Sequence, residues 1–161
     1  MLLRNVKKWD RLVDVVVCGS GGAALTAAVT AAAGGAQVVV LEKSSKVGGT
    51  TGVSGGVPWI VANHHMKELG VEDSPEEGLR YIRRLTMGRE PDPALIEDFV
   101  ATGADVIAWL EANTPVRMSA TKWFADYYAD MPGGKREGRS NIARSISSRT
   151  HSIGQSSGLY P

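Results

Sequence analysis

Gly19, Gly21 and Ala24 stand in the run Gly19-Ser20-Gly21-Gly22-Ala23-Ala24, a G-x-G-x-x-A arrangement suited to holding a diphosphate. The first glycine permits a tight turn, and the second has no Cβ to keep the backbone away from the anion. Ala24 is small enough for a helix to pack closely on the preceding strand. Glu42, followed by Lys43, lies 23 positions after Gly19. That is near the spacing of about 20 at which an acid accepts hydrogen bonds from an adenosine ribose. Residues 48–56 then form a second bare stretch. There Gly48, Gly49, Gly52, Gly55 and Gly56 let N–H groups converge on anionic or carbonyl oxygens, while Thr50, Thr51 and Ser54 add hydroxyls. The same composition also makes flexible linkers, but this segment directly follows the acid instead of separating two cores. The chemistry these residues suit is dinucleotide binding.

The elements that must position them are legible around them. Val13-Asp14-Val15-Val16-Val17-Cys18 is a short β-branched run and predicts a strand. Alanines at 23, 24, 27, 28, 31, 32 and 33 predict a helix over residues 22–33, ended by Gly34 and Gly35. Its amino end would aim unpaired N–H groups at the phosphates. Residues 37–41 predict a second strand with Glu42 at its carboxyl end. The fold class is therefore α/β, an incomplete Rossmann-like unit followed by helices.

Residues 57–69 predict a further helix after Pro58, ending at Gly70. His64 and His65 are neighbours on it, about 100° apart, and so lack the i, i+4 geometry of a helical metal site. They are expected to be surface or interface histidines, and no metal ligands are expected. Ser74-Pro75-Glu76-Glu77 is a capping box that starts a helix running to about Met87. Asp92-Pro93 opens a longer one to about Ala112, with Leu95, Ile96, Phe99, Val100, Val106, Ile107 and Leu110 as its apolar face. Arg80, Arg83, Arg84 and Arg89 read as a solvated positive face.

Trp123, Phe124, Tyr127 and Tyr128 crowd six residues. Such a cluster predicts core, with Tyr hydroxyls paired. The alternative is a phenol facing a pocket, where it could donate a hydrogen bond or serve as a proton acceptor. Beyond Pro132 the apolar periodicity fades, and residues 141–161 are serine-rich with Arg144 and Arg149. Residues 1–139 are expected to form one part of a cofactor domain, and residues 140–161 a disordered tail.

A chain of 161 residues, 43% hydrophobic and 22% charged, predicts one ordinary domain. The net charge of +1 gives no electrostatic footprint for nucleic acid or an anionic membrane. Cys18 is the single cysteine, expected buried in the first strand, which makes a reducing cytoplasm the default compartment. The apolar start is interrupted by Asp10, Arg11 and Asp14, unlike a signal peptide, and no uninterrupted stretch is long enough to span a membrane.

Residues 14–139 resemble the N-terminal part of the 3-ketosteroid Δ1-dehydrogenases, within the fumarate-reductase/succinate-dehydrogenase flavoprotein group. The matching stretches are Val15 to Ala24, Val40-Leu41-Glu42-Lys43, Gly48-Gly49-Thr50-Thr51, Ser54-Gly55-Gly56, Asp126-Tyr127-Tyr128 and Gly138-Arg139-Ser140. The resemblance implies FAD as cofactor. Gly19 to Ala24 would face its pyrophosphate, Glu42 its adenosine ribose, and residues 48–56 would continue toward the flavin. It also implies removal of a proton from a 3-ketosteroid ring carbon and hydride transfer from its neighbour to the flavin, with Tyr127 supporting the catalytic base. By the same resemblance the main base, a carbonyl-polarising tyrosine and the substrate domain fall beyond Pro161. The composition shift near Ser140 predicts a truncated product read out of frame there, completed if at all by a separate C-terminal chain. A non-catalytic FAD-binding remnant and an NAD-binding module, for which Glu42 would favour NAD over NADP, are the alternative readings.

Overall fold

The computed structural model describes residues 9–144. Strand β1 (Val15–Cys18), helix α1 (Gly22–Ala33) and strand β2 (Val38–Leu41) form the expected βαβ unit. β1 and β2 pair in parallel, Val15 opposite Val38 and Cys18 opposite Leu41. The alanines of α1 lie against this sheet, with Ala28 and Val17 buried at the contact. The opposite face of the sheet is uncovered: Val16 and Leu41 are each 54% exposed, and Cys18 is exposed as well. Cys18 is thus not the buried residue expected, because no element packs on its side of the two strands among the described residues.

The chain between residues 57 and 69 corrects another expectation. Only His65–Glu68 is helical (α2). Trp59 instead bridges Ser140 in antiparallel fashion, with Ile60 N–H donating to the Arg139 carbonyl and Asn141 N–H to that of Pro58. These long-range backbone bonds hold the segment extended. Helices α3 (Pro75–Thr86) and α4 (Pro93–Asn113) follow. Both start at the expected caps, where Ser74 Oγ accepts from Glu77 N–H and Asp92 Oδ1 from Ala94 N–H. Gly78 of α3 lies directly under Val61, and Gly103 of α4 under Ile60, so the extended segment settles against two side-chain-free positions. On α4 the buried stripe is Val100, Gly103 and Ile107, while Leu95, Phe99 and Val106 remain exposed.

Strands β3 (Met118–Ala120) and β4 (Asn141–Ala143) pair antiparallel. β4 and the bridged Ser140 correct the expected start of a disordered tail, since Ser140 and Asn141 are buried. The remainder of that expected tail, from residue 145, lies outside the described residues.

Arg139 ties these pieces together. Its guanidinium is fully buried, pairing with Asp73 Oδ1 at 2.6 Å and Asp126 Oδ2 at 2.9 Å. The ring of Trp59 lies 5.2 Å from it and that of Tyr81 5.6 Å. Burial opposes its charge, but the paired carboxylates win and hold its pKa above the ordinary value. Removing it would strand Asp126 without a counter-charge and leave Asp73 only Lys135 Nζ, at 3.9 Å. Arg139→Ala should therefore cost about 3–5 kcal/mol of stability in denaturant unfolding; a loss under ~1 kcal/mol would show the pairs carry little.

Candidate functional site

The strand-to-helix turn has the backbone a diphosphate requires. Gly19 takes φ +96°, a conformation side chains resist, and a Cβ there would meet nothing within 4 Å. The turn therefore opens outward. Gly21 caps α1 in extended conformation without side-chain help. The N–H of Gly22 donates to Thr51 Oγ1 at 3.0 Å, whereas those of Ala23 and Ala24 find no acceptor among the described residues. Two free amides at the positive end of a helix suit an anion.

The second glycine loop packs onto this turn. A Cβ on Gly49, at φ +52°, would stand 3.2 Å from Gly21 Cα, and one on Gly22 would stand 3.2 Å from Thr51 Oγ1. Bare backbone on both sides allows the two loops to touch. Thr51 opens a short 3₁₀ turn (Thr51–Val53), and Thr50 precedes it. Because the Thr51 hydroxyl accepts from Gly22, its own hydrogen is left to donate outward.

Ser20 behaves differently from its neighbours. It is buried at 2% exposure, donates to Glu42 Oε2 at 2.5 Å and accepts from Gly48 N–H at 2.9 Å. Its side chain therefore does not face a phosphate; it joins the turn, the acid and the second loop. Ser44 N–H donates to the other Glu42 oxygen at 2.9 Å. The Ser20 hydroxyl first, then the Ser44 amide, hold the Glu42 carboxyl below the usual carboxylate range. Each oxygen keeps a lone pair for a further donor, as a ribose diol would need. Lys43 is exposed beside it.

Ser54, Gly55 and Gly56 lie farther along. The Ser54 hydroxyl is engaged locally, donating to the Thr51 carbonyl and accepting from Gly56 N–H. These three residues instead form one wall of a cavity of about 540 Å³ shared with Trp59, Tyr81, Phe124 and Tyr127. The aromatic cluster expected as core is the opposite: Tyr127 is 93% exposed and Trp123 88%. Asp126 between them is the buried member. It accepts from Trp59 Nε1 and Lys135 N–H besides Arg139, so the chain folds inward there and turns its neighbours outward.

A third cluster was not anticipated. His64 and His65 both converge on Glu111, a residue of α4 that no sequence feature singled out.

A family model described as FAD binding domain matches residues 14–155. The match continues beyond Ser140, where the resemblance was expected to stop. The chain is 46% identical over 126 residues to 4-oxocyclohexanecarboxylate 2-dehydrogenase of Sinomonas cyclohexanicum, covering 78% of this chain and 22% of that protein. It is 37% identical over 127 residues to 3-oxosteroid 1-dehydrogenase of Mycobacterium tuberculosis, covering 79% and 22%. The 3-ketosteroid delta1-dehydrogenase of Sterolibacterium denitrificans, solved with 1,4-androstadiene-3,17-dione, superposes with a TM-score of 0.76 at 34% identity, covering 82% of this chain and 23% of that one. The chain thus spans about 22% of the length of the curated relatives it matches.

Ser20 and Glu42 can be separated by experiment. Ser20→Ala should weaken FAD binding roughly tenfold, the scale of one hydrogen bond to a charged group. It should also move acid-induced cofactor loss to higher pH. A depressed pKa keeps Glu42 charged to lower pH, and without Ser20 the carboxyl returns toward its ordinary value. Glu42→Ala should weaken binding at least as much and abolish that pH shift. Unchanged affinity in both variants, titrated by flavin fluorescence, would remove Glu42 from the ribose.

Proposed function

The chain belongs to the FAD-binding domain family, and from that premise we propose that it forms the cofactor-holding part of a dehydrogenase. On this reading it desaturates a CH–CH bond beside a ring carbonyl, in a 3-ketosteroid or a related cyclic ketone. FAD, when bound, supplies the hydride acceptor. One observation carries the reading: Tyr127, Gly55 and Gly56 line the same cavity. Its size falls within the range typical of small-molecule pockets. Its remaining walls include Trp59, Tyr81, Ile82, Leu85 and Phe124, flat and apolar surfaces that suit a fused or single carbocycle. The names of the two curated relatives, an oxocyclohexane dehydrogenase and an oxosteroid dehydrogenase, share a ring ketone.

Within this site the free amides of Ala23 and Ala24 and the Thr51 hydroxyl would hold the pyrophosphate, and Glu42 the adenosine ribose. Residues 54–56, which line the cavity, would meet the flavin. Apolar walls keep water from the reacting carbons, which strengthens polarisation of the carbonyl. Tyr127 donates a hydrogen bond that supports the proton-abstracting base, which further polypeptide contributes, in continuation or as a second chain. The partner is a small molecule, not nucleic acid. No helix among the described residues is long and apolar enough to cross a membrane. With a single cysteine in the chain, we place the protein in the cytoplasm.

The test is anaerobic mixing of the flavin-loaded protein, completed by the rest of its dehydrogenase, with 4-androstene-3,17-dione or 4-oxocyclohexanecarboxylate. Flavin absorbance should bleach with at least one ketone. Tyr127→Phe should slow bleaching on the order of a hundredfold while the protein still carries flavin. Colour that persists with both ketones would reduce the chain to a flavin carrier.

A further inference from the structure

His65 lies between two carboxylates in a way a neutral imidazole does not satisfy. Its Nε2 stands 3.1 and 3.0 Å from the two oxygens of Glu111, and its Nδ1 stands 3.3 Å from Glu68 Oε1. A neutral ring carries one N–H, so one of its nitrogens would present a lone pair to a carboxylate. His64 adds a second ring: its Nε2 is 2.8 Å from the same Glu111 Oε2, and the ring centroids are 4.0 Å apart. Two imidazoles side by side converge on one carboxylate oxygen, a donor set that a single cation can bridge.

We propose that His64, His65 and Glu111 bind a divalent transition-metal ion, Zn²⁺ by chemistry, in a site that ties α2 to α4 and β3. The three donor atoms already lie within 4.8 Å of one another. Tetrahedral zinc with bonds near 2.0 Å places its ligands about 3.3 Å apart. The two nitrogen-to-carboxylate separations, 2.8 Å from His64 and 3.0–3.1 Å from His65, need only a few tenths of an ångström of opening, and the two ring nitrogens lie within 4.8 Å of each other. Two imidazole nitrogens and one carboxylate suit zinc and its neighbours, and not the all-oxygen shells of calcium or magnesium.

The groups around the donors are arranged as a metal site requires. With Nε2 on the ion, His65 Nδ1–H donates to Glu68, which fixes the ring and raises its basicity. Met118 N–H donates to Glu111 Oε1 at 2.6 Å and holds that carboxylate toward the rings. Glu111 and His65 are largely buried, whereas His64 is 43% exposed along its side chain, giving the ion a path in and water a fourth position. Charge also closes: two neutral rings, two carboxylates and a dication sum to zero. Loading releases any protons on the ligating nitrogens to solvent.

The neighbours-on-a-helix argument missed this site for a geometric reason. His64 is the cap of a helix only four residues long, and the third ligand comes from a helix 46 residues further on. The site is independent of the flavin reading and stands or falls separately.

Equilibrium dialysis of the whole chain against Zn²⁺, followed by metal analysis, should find one ion per chain, removable by a chelator, with a higher melting temperature when loaded. His64→Gln, at the exposed position and checked for folding by circular dichroism, should weaken binding at least tenfold. Glu68→Gln should weaken it roughly tenfold with all three ligands intact. Failure of the wild-type chain to take up stoichiometric zinc, or equal affinity in His64→Gln, would overturn the site.

Discussion

The buried pairing of Arg139 with Asp73 and Asp126 is the constraint on which the cavity depends. Asp73 precedes α3 and also accepts from Ala62 N–H, at a residue in left-handed conformation with φ +50°. Asp126 sits within the aromatic loop and holds Trp59 Nε1. One guanidinium thus fixes the turn after the Trp59 segment, the start of α3 and the loop bearing Tyr127. A planar fork of donors is what allows it, since a lysine could not engage both acids and lie across two rings. The exposure of Tyr127 follows from the burial of its neighbour. Asp126 is pulled inward by three partners, and the adjacent Tyr127 is left exposed at the edge of the cavity.

The cofactor turn depends on a different device, the absence of side chains on both of two touching loops. Gly21 and Gly49 approach at backbone distance, and Thr51 fills the space beside Gly22. Ser20 then links both loops to Glu42. The consequence is that Glu42 and the turn that bears the amides of Ala23 and Ala24 are not independent of each other. A shift in residues 48–51 moves the Ser20 hydroxyl, and with it the carboxylate at the end of β2.

The elements readable from the sequence were those whose signals are local. The βαβ unit is specified by β-branched runs, alanines and glycine punctuation within thirty residues. α3 and α4 begin at Ser74 and Asp92 because a capping side chain needs only the next few amides. The misread segments were settled by distant partners. Trp59 to Ile60 is extended because Arg139 and Ser140 supply its hydrogen bonds, and no local pattern encodes that. Trp123 and Tyr127 are apolar enough to predict core, yet the polar Asp126 took the interior place through partners 67 residues upstream and 13 downstream, at Trp59 and Arg139. Cys18 and Leu41 follow a buried-strand pattern, but a parallel pair gains burial on both faces only where more structure covers it. The candidate site residues were chosen by type; Ser20 shows that type does not reveal which way a side chain turns.

Among the described residues, eight apolar and seven polar or charged residues are buried. An interior so evenly divided is held in register by hydrogen bonds and ion pairs more than by apolar area. Buried ion pairs fix geometry, but they add little net stability over apolar packing, because desolvation offsets much of their attraction. A chain built this way gains its margin from whatever binds the native state alone. On the proposed reading the glycine turn would offer that through FAD, whose phosphates would meet amides that have no acceptor among the described residues. Binding and folding would then be coupled at this turn, because the amides of Ala23 and Ala24, unpaired among the described residues, are displayed for an anion only when α1 is formed.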